Sequence, residues 1–180
     1  MSPSKPDKPE FERSRSKKSS SPKGKSAYMR AVGLLAKRAH SSSELRRKLK
    51  SRHSDAEIEE ALKKLEGQGF VDDAQFAAQR ACLCRLDKAW GDRRIELDLQ
   101  QRHQIKERDL AQALEAAEAE QPEQQALERI VQNWLRLRGE PSTVRDLKKL
   151  HDRCLRLGHR PDRVRSRLDA FFRHLDWDAD

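Results

Sequence analysis

A short stretch at residues 69–77, Gly-Phe-Val-Asp-Asp-Ala-Gln-Phe-Ala, most constrains how this chain can fold, because it closes one two-helix pattern and opens another. Gly67 and Gly69 predict a left-handed end to the preceding helix. Asp72 or Asp73 is the expected cap of the next helix, which runs towards Ala89. The same order of signals returns about fifty residues later, and such a return is typical of tandem structural units.

The segment before this junction predicts two short helices joined by a tight turn. Residues 41–65 carry apolar side chains at the spacing of a helix with one buried face. Ser41 precedes Glu44 by three residues, and Ser54 precedes Glu57 in the same way, so we expect two successive capping boxes.

Two further copies of this pattern follow. The second copy pairs a helix after Gly91 with a helix over residues 109–117, and it has two more residues between these helices than the first copy. Each copy has a leading helix, over residues 27–39, 73–89 and 123–137. The third copy aligns with the first when Leu155, His159, Val164 and Leu168 are laid on Leu49, His53, Ile58 and Leu62. Residues expected in the core of the three copies are Leu45, Leu49, Ile58, Leu62, Phe70, Phe76, Leu99, Leu155, Val164 and Leu168.

These patterns predict an all-α fold, an elongated array of three tandem three-helix repeats over residues 27–72, 73–120 and 121–180. Only 7 Gly and 7 Pro occur in 180 residues, as suits a helical chain. One globular helical bundle is the alternative architecture. Residues 1–26 are rich in Ser, Lys, Pro and Arg, with Phe11 as the only large apolar residue, so we expect a disordered basic tail.

The chain has neither the apolar core of a signal peptide nor a stretch long enough to span a membrane, which predicts a soluble cytoplasmic protein. Its three cysteines, Cys82, Cys84 and Cys154, are odd in number and are expected to be reduced thiols.

Charge is unevenly distributed along the chain. The formal net charge is +9, and residues 1–26 contribute eight basic and three acidic residues. Residues 27–123 have 18 of each sign, whereas residues 124–180 have 13 basic and nine acidic residues. The positive ends favour a polyanion or an acidic protein surface as partner, although a solvated helix face is the alternative explanation.

Catalytic and metal-binding sites are not predicted. Asp72 and Asp73 are neighbours at a helix start, where capping explains them without chemistry. The six histidines and three cysteines show no metal-ligand spacing, and no phosphate-binding glycine loop or nucleophile elbow occurs. We therefore expect no enzyme activity, no cofactor and no metal.

Three motifs, taken in order, resemble the RecX family, the bacterial regulators of the RecA recombinase. They are Ser-Glu-Leu-Arg-Arg-Lys-Leu at residues 43–49, Gly-Phe-Val-Asp-Asp at 69–73 and Trp-Gly-Asp-Arg-Arg-Ile at 90–95. The resemblance covers residues 27–175. It implies a small helical protein that binds RecA and RecA–single-stranded DNA filaments in the filament groove. It further implies inhibition of ATP hydrolysis, strand exchange and coprotease activity, and thereby modulation of DNA repair and the SOS response.

Basic side chains in the second and third repeats are the expected contacts to RecA or DNA. They are Arg93, Arg94, Arg102, Lys148, Arg156, Arg160, Arg163 and Arg167. Trp90 and Trp134 are either partner anchors or, as is more usual for aromatic residues at helical spacing, buried. We expect the protein to act as a monomer.

A basic helix-turn-helix-like DNA-binding regulator is the alternative function, because helix pairs with tight turns resemble such units. The second helix of the first pair begins Asp55-Ala56-Glu57, which is acidic where bases and phosphates would lie. Lys106, Arg108 and Arg163 precede or open the corresponding helices of the later copies, so weak direct DNA binding could accompany RecA binding. A scaffold for some other acidic partner is a third possibility.

Overall fold

A computed structural model describes residues 24–175, which contain α-helices and no β-strand. The helices follow one another in three groups of three, and each group has its own apolar core. The fold is therefore the predicted all-α array of three tandem three-helix units. Unit 1 contains α1 (Ala27–Leu35), α2 (Ser42–Leu49) and α3 (Asp55–Gly67); unit 2 contains α4 (Asp73–Lys88), α5 (Asp92–Leu97) and α6 (Glu107–Glu120); unit 3 contains α7 (Glu123–Arg138), α8 (Val144–Arg156) and α9 (Pro161–His174).

The proposed unit boundaries, after residues 72 and 120, fall between helices and stay predictions as domain limits. The predicted disordered tail lies outside the described residues, except for its last three positions. Within residues 24–175, no helix is both long enough and apolar enough to cross a lipid bilayer.

The helix ends follow the local signals of the sequence in most places. The Ser54 side chain accepts a hydrogen bond from the Glu57 amide, and Glu57 reaches back to the Ser54 amide, which completes the predicted capping box. Asp72 caps α4 by accepting from the Gln75 amide. Pro161 is the first residue of α9. An amide at this position has no hydrogen-bond partner within the helix, so proline costs no bond there.

The prediction of a second capping box at Ser41 is wrong. Ser41 accepts from the Glu44 amide as expected, but the carboxylate of Glu44 does not return to Ser41. It is buried and binds Arg38 and His40 instead. An ionic contact with neighbouring side chains has displaced the local backbone contact.

The prediction that Phe70 belongs to the core is also wrong, because its side chain is 61% exposed. Gly69 takes the left-handed conformation (φ 72°), and the amides of Gly69 and Phe70 close the end of α3 on the carbonyls of Glu66 and Leu65. This turn directs Val71, rather than Phe70, into the core of unit 1.

The predicted alignment of the third copy is displaced by one residue in α8. Cys154 is fully buried, whereas Leu155 is only half-buried at the edge of the same core. The cause is the turn that follows. The amide of His159 bonds to a carbonyl five residues earlier, while the amide of His53 bonds to one four residues earlier. Gly158 (φ 89°) holds the extra residue in a left-handed conformation.

The extra residues of the second copy form a π-helical turn. α5 continues directly into the π segment Asp98–Arg102, and Gln104 then has a positive φ of 52° before α6 begins. A π turn accommodates an inserted residue without ending the helix. Leu99 stays fully buried, as predicted, while Arg102 lies exposed at the end of the segment.

Units 1 and 2 are joined by a carboxylate that caps a helix in the neighbouring unit. Asp73 accepts hydrogen bonds from the amide of Ser42 (2.8 Å) and from its hydroxyl. The two neighbouring aspartates thus cap different helices, since Asp72 caps α4 and Asp73 caps α2. Negative charge at a helix N-terminus is favourable, so this contact stabilises the joint.

Units 2 and 3 meet through direct contact between two main-chain turns. The amide of Gly91 donates to the carbonyl of Leu157 (2.9 Å), and the amide of Arg93 donates to the carbonyl of Gly158 (3.2 Å). A Cβ atom on Gly91 would lie 2.4 Å from the Gly158 oxygen, and one on Gly158 would lie 2.4 Å from the Arg94 nitrogen. Only glycine at both positions allows this approach.

Buried charged groups surround the same joint. The guanidinium of Arg85 is fully buried and contacts the carboxylates of Asp92 and Glu118. Glu123 is buried against Nη1 of Arg163 (2.7 Å) and Nδ1 of His159 (3.3 Å). The Arg85 contacts lie within unit 2 and the Glu123 contacts within unit 3, while Nη1 of Arg163 also lies 3.8 Å from the Glu118 carboxylate of unit 2. Docking of the units therefore adds a charge contact across the joint.

Substitution of Gly91 by Ala should disrupt the joint between units 2 and 3, because the added methyl group has no space beside Gly158. We expect the free energy of unfolding to fall by about 1–3 kcal/mol, as for other overpacked sites. Urea unfolding followed by circular dichroism measures this change. Gly33→Ala is the control: Gly33 is exposed within α1 and has no neighbour near a new Cβ, so this variant should be stabilised by about 0.5–1 kcal/mol. Equal stability of Gly91→Ala and the wild type would contradict the close contact.

Candidate interaction surface

A cleft of about 460 Å³ lies between units 1 and 2. Its walls come from the turn after α1, from α2, from α4 and from the end of the π segment of unit 2 with the residue that follows it. Four of its lining residues are arginines, and Glu44 is the one lining carboxylate among the described residues. The lining residues are Arg38, Ala39, Glu44, Arg47, Phe76, Gln79, Arg80, Leu83, Arg102 and His103.

Glu44 anchors the unit 1 wall of this cleft. Both nitrogens of the Arg38 fork contact its carboxylate, and Nδ1 of His40 lies 3.0 Å from one of its oxygens. Burial alone would raise the pKa of Glu44, but hydrogen bonds from Arg38 and His40 and the attraction of their charges lower it to about 2. Glu44 is therefore ionised throughout the physiological range.

Asp98 performs the same task on the wall formed by unit 2. It is buried and accepts from Nε (3.1 Å) and Nη2 (3.0 Å) of Arg80. Arg102 reaches the same carboxylate only at 3.4 Å, and its side chain stays 70% exposed. Arg80 is thus held in place, while most of the Arg102 guanidinium is open to solvent.

A second cleft, of about 350 Å³, continues from the first and shares Arg102 with it. Trp90 is half-buried here, with the ammonium of Lys88 4.4 Å and the guanidinium of Arg94 5.3 Å from its ring centre. Leu97 adds exposed apolar surface. The combination of basic side chains with an aromatic and an aliphatic group is typical of interaction surfaces.

The second cleft leads to unit 3 through the glycine joint. The backbone of Arg93 and Arg94 contacts Gly158, and Arg156 and Arg160 lie two residues before and after that glycine. Basic residues from all three units therefore lie at the two clefts or within two residues of the glycine joint. We call this set the basic track: Arg38, Arg47, Arg80, Lys88, Arg93, Arg94, Arg102, Arg156 and Arg160.

Comparison with known proteins agrees with this architecture. The family model for RecX, first three-helix domain, matches residues 27–65. The regulatory protein RecX of Xanthomonas campestris is 44% identical over 57 residues, which are 31% of this chain and 35% of that protein. The regulatory protein RecX of Thermus thermophilus is 38% identical over 72 residues, 40% of this chain and 49% of that protein. The chain thus spans half or less of the length of these curated relatives.

Solved structures extend the similarity over most of the chain. A crystal structure of regulatory protein RecX superposes with a TM-score of 0.67 and 25% identity, covering 80% of this chain and 70% of that chain. RecX from Lactobacillus salivarius superposes with a TM-score of 0.64 over 83% of this chain and 94% of that chain; at 19% identity it supports the fold alone. The family model, the curated relatives and the solved structures together support the RecX family for this chain.

In the folded chain, the predicted contact residues divide into two groups. Arg93, Arg94, Arg102, Lys148, Arg156 and Arg160 have side chains at least partly open to solvent. Arg163 and Arg167 instead bind carboxylates of α7, Arg163 to Glu123 and Arg167 to both oxygens of Glu128. The hydrogen bond from Arg167 lowers the pKa of Glu128 to about 2. The geometry therefore gives Arg163 and Arg167 a part in holding unit 3 together, and their contact to a partner stays a prediction.

Four members of the basic track were missed from the sequence: Arg38, Arg47, Arg80 and Lys88. They lie in residues 27–123, where basic and acidic residues are equal in number, so the charge distribution along the sequence did not indicate a basic surface there. The cations become a surface feature because Glu44 and Asp98 are buried beneath them. Arg80 and Arg102 are 22 residues apart in the sequence, and only folding brings them to the same cleft, so no short sequence pattern indicates that they act together.

The tryptophans, the cysteines and the residue types that bind metals can also be placed in the fold. Trp134 is buried in unit 3 under the guanidinium of Arg138, whereas Trp90 is half-buried in the second cleft. Cys82, Cys84 and Cys154 are free thiols, and burial raises the pKa of Cys154 to about 12. Over residues 24–175, no group of three or more His, Cys, Asp or Glu side chains is arranged to hold a metal ion.

The Glu44 site predicts an acid-dependent loss of stability. Because its pKa falls from 4.5 to about 2 on folding, ionised Glu44 stabilises the protein fully above about pH 4.5, and this contribution is lost as the pH falls to about 2. The Glu44→Gln variant should therefore be less stable than the wild type at pH 7 by roughly 3 kcal/mol, and the difference should vanish towards pH 2. Urea unfolding at several pH values measures it, with the exposed Glu60→Gln as control. A difference that does not depend on pH would contradict the assignment.

Proposed function

We propose that this protein is a negative regulator of RecA that binds RecA and RecA–single-stranded DNA filaments. In this proposal it lies in the filament groove as a monomer and inhibits ATP hydrolysis, strand exchange and coprotease activity. DNA repair and the SOS response are modulated as a result. Similarity to the RecX family and the names of the relatives, regulatory protein RecX, support the general role, while the partner and the inhibition are the proposal.

The single observation that carries the proposal is the basic track. Its cations come from all three units and are connected through two clefts and the glycine joint. A helical filament presents the same chemical groups again and again along its length. Several weak contacts to successive protomers or phosphates then act together through their high effective concentration.

The rigidity of the two joints supports this use of the track. Asp73 fixes unit 2 to unit 1, and the main-chain contact of Gly91 with Leu157 fixes unit 3 to unit 2. In addition, Arg129 of α7 donates to the carbonyls of Arg85 and Leu86 at the end of α4. Units with fixed spacing lose little conformational entropy when all of them bind, so the net binding free energy is more favourable than for flexibly linked units.

The helix-turn-helix alternative has less support in the first unit. α3 would be the recognition helix, and its first turn carries Asp55 and Glu57. Base-reading helices present Arg, Asn or Gln to the groove, and carboxylates at this end repel phosphates. Direct DNA binding would then come from the track and be independent of sequence.

The direct test is inhibition of ATP hydrolysis by RecA assembled on single-stranded DNA. We expect the purified protein to inhibit at concentrations well below that of RecA. A triple variant, Arg94→Gln, Arg102→Gln and Arg156→Gln, removes three charges of the track and should weaken inhibition by about tenfold or more. The salt dependence of filament binding should also become shallower, by about 0.7 in the log–log slope for each phosphate that the variant no longer neutralises.

The control for this test removes the same number of charges elsewhere. Lys50, Arg52 and Lys63 are exposed and lie outside both clefts of the track, so their replacement by Gln should leave inhibition within about twofold of the wild type. Circular dichroism verifies that both variants keep their helix content. Equal inhibition by the two variants would exclude the track as the contact surface. Unchanged hydrolysis together with tight, sequence-dependent binding to duplex DNA would instead support the DNA-binding regulator.

A further inference from the structure

The cleft between units 1 and 2 holds positive charge that its own carboxylates do not neutralise. Of its four arginines, Arg38 is bound by Glu44 and Arg80 by Asp98. Arg47 has no carboxylate within ion-pair distance in the described part of the chain, and Arg102 has only its long contact to Asp98. Two guanidinium groups are therefore available to a ligand.

These guanidinium groups come from separate elements and converge on one volume. Arg47 belongs to α2 of unit 1, whereas Arg102 ends the π segment of unit 2. A guanidinium presents a rigid fork of donors that matches the oxygens of a phosphate or carboxylate group. Buried carboxylates fix Arg38 and Arg80, so the cleft walls beside Arg47 and Arg102 are preorganised.

His103 supplies a second, independent indication of a ligand. Its side chain lines the cleft and is 92% buried as a residue, since only 8% remains exposed, and its Nδ1 has no hydrogen-bond partner among the described residues. Its ring rests against Phe76, with 4.9 Å between ring centres. Burial lowers the pKa of His103, which favours the neutral ring, and its Nε2 lies 3.8 Å from the Asp98 carboxylate. Among the described residues, His103 is the one lining residue of this cleft, apart from the anchored Glu44 and the arginines, whose side chain is charged or titratable and buried.

The remaining wall and the size of the cleft indicate what kind of anion fits. Leu83 projects apolar surface into it and is 54% exposed, and Gln79 adds an amide. The volume of about 460 Å³ lies within the range of small-molecule sites. A compact ligand with a dianionic end and an apolar ring satisfies both parts of the cleft, whereas inorganic phosphate alone would leave the apolar wall uncovered.

We propose that the cleft between units 1 and 2 binds the phosphate groups of a nucleotide, with Arg47 and Arg102 holding the phosphates and His103 and Leu83 facing the rest of the molecule. This ligand chemistry has two sources, a free nucleotide or a nucleotide within a single strand. The inference concerns the isolated protein, and it does not depend on the proposed action on RecA.

Isothermal titration of the full chain, without RecA, tests the proposal with three phosphate probes: pyrophosphate, ATP and an oligothymidylate. The Arg47→Gln, Arg102→Gln variant is compared with an equal-charge control, Lys50→Gln, Lys63→Gln, whose exposed residues lie outside the cleft. We expect ATP or the oligothymidylate to bind more tightly than pyrophosphate, at least tenfold weakening in the cleft variant, and less than twofold change in the control. ATP binding identifies a free nucleotide as the source, and binding of the oligothymidylate alone identifies a strand.

Imidazole NMR signals provide a readout at the site itself. The bound probe should shift the ring signals of His103 and leave those of His53, in the turn of unit 1, unchanged. Absence of binding by every phosphate probe, equal weakening in the cleft and control variants, or shifts that bypass His103 would each overturn the proposal. Tighter binding of polyglutamate than of ATP or the oligothymidylate would also overturn it, since the cleft would then be a site for acidic peptides. If the wild-type protein binds nucleotide as expected but does not inhibit RecA, only the proposed function is contradicted.

Discussion

The main-chain contact between the turns at Gly91 and Gly158 is the interaction on which the arrangement of the molecule depends. Each turn lacks a Cβ atom where the two meet, so amides and carbonyls bond directly across the joint. Nε2 of the buried His159 adds a contact, 2.9 Å from the carbonyl of Ala89, which has a left-handed conformation itself (φ 52°). Such contacts are short and directional, unlike apolar packing that can slide. They fix unit 3 relative to unit 2 and thereby decide where its basic residues lie.

Buried charge adds selectivity to the same joint. Burial and the nearby Glu123 raise the pKa of Asp92, while Arg85 opposes them. Burial raises the pKa of Glu123, but His159, Arg163 and Arg85 lower it by more than burial raises it, so Glu123 stays ionised. Removing one partner from such a set leaves an uncompensated charge inside the protein, which is far more costly than breaking an exposed ion pair. The network therefore favours one docked arrangement over misaligned ones.

The two interaction clefts follow from how charge is separated during folding. Residues 27–123 are neutral in total, yet the folded chain buries Glu44 and Asp98 and leaves the arginines that they hold at the cleft walls. The carboxylates thus orient cations while neutralising only part of their charge. This explains how a segment without net charge can provide a preorganised surface for an anionic partner, and why the basic C-terminal unit is only one part of it. Some of the cations in that unit, such as Arg167, serve its own packing.

The sequence by itself determined the elements and their order, because helix periodicity, Ser and Asp caps, and the glycine stops act over a few residues. It predicted the three units, the Ser54 capping box and most core positions, and its motifs indicated the family. Local signals could not place Phe70 outside and Val71 inside, nor select Cys154 over Leu155, since single turns of backbone decide which face is buried. Tertiary structure alone decided the second role of Asp73, the burial of Arg85 and the meeting of Arg47, Arg80 and Arg102, because these depend on contacts between residues far apart in the chain. Such contacts form only once the helices have docked, and no short stretch of sequence encodes them.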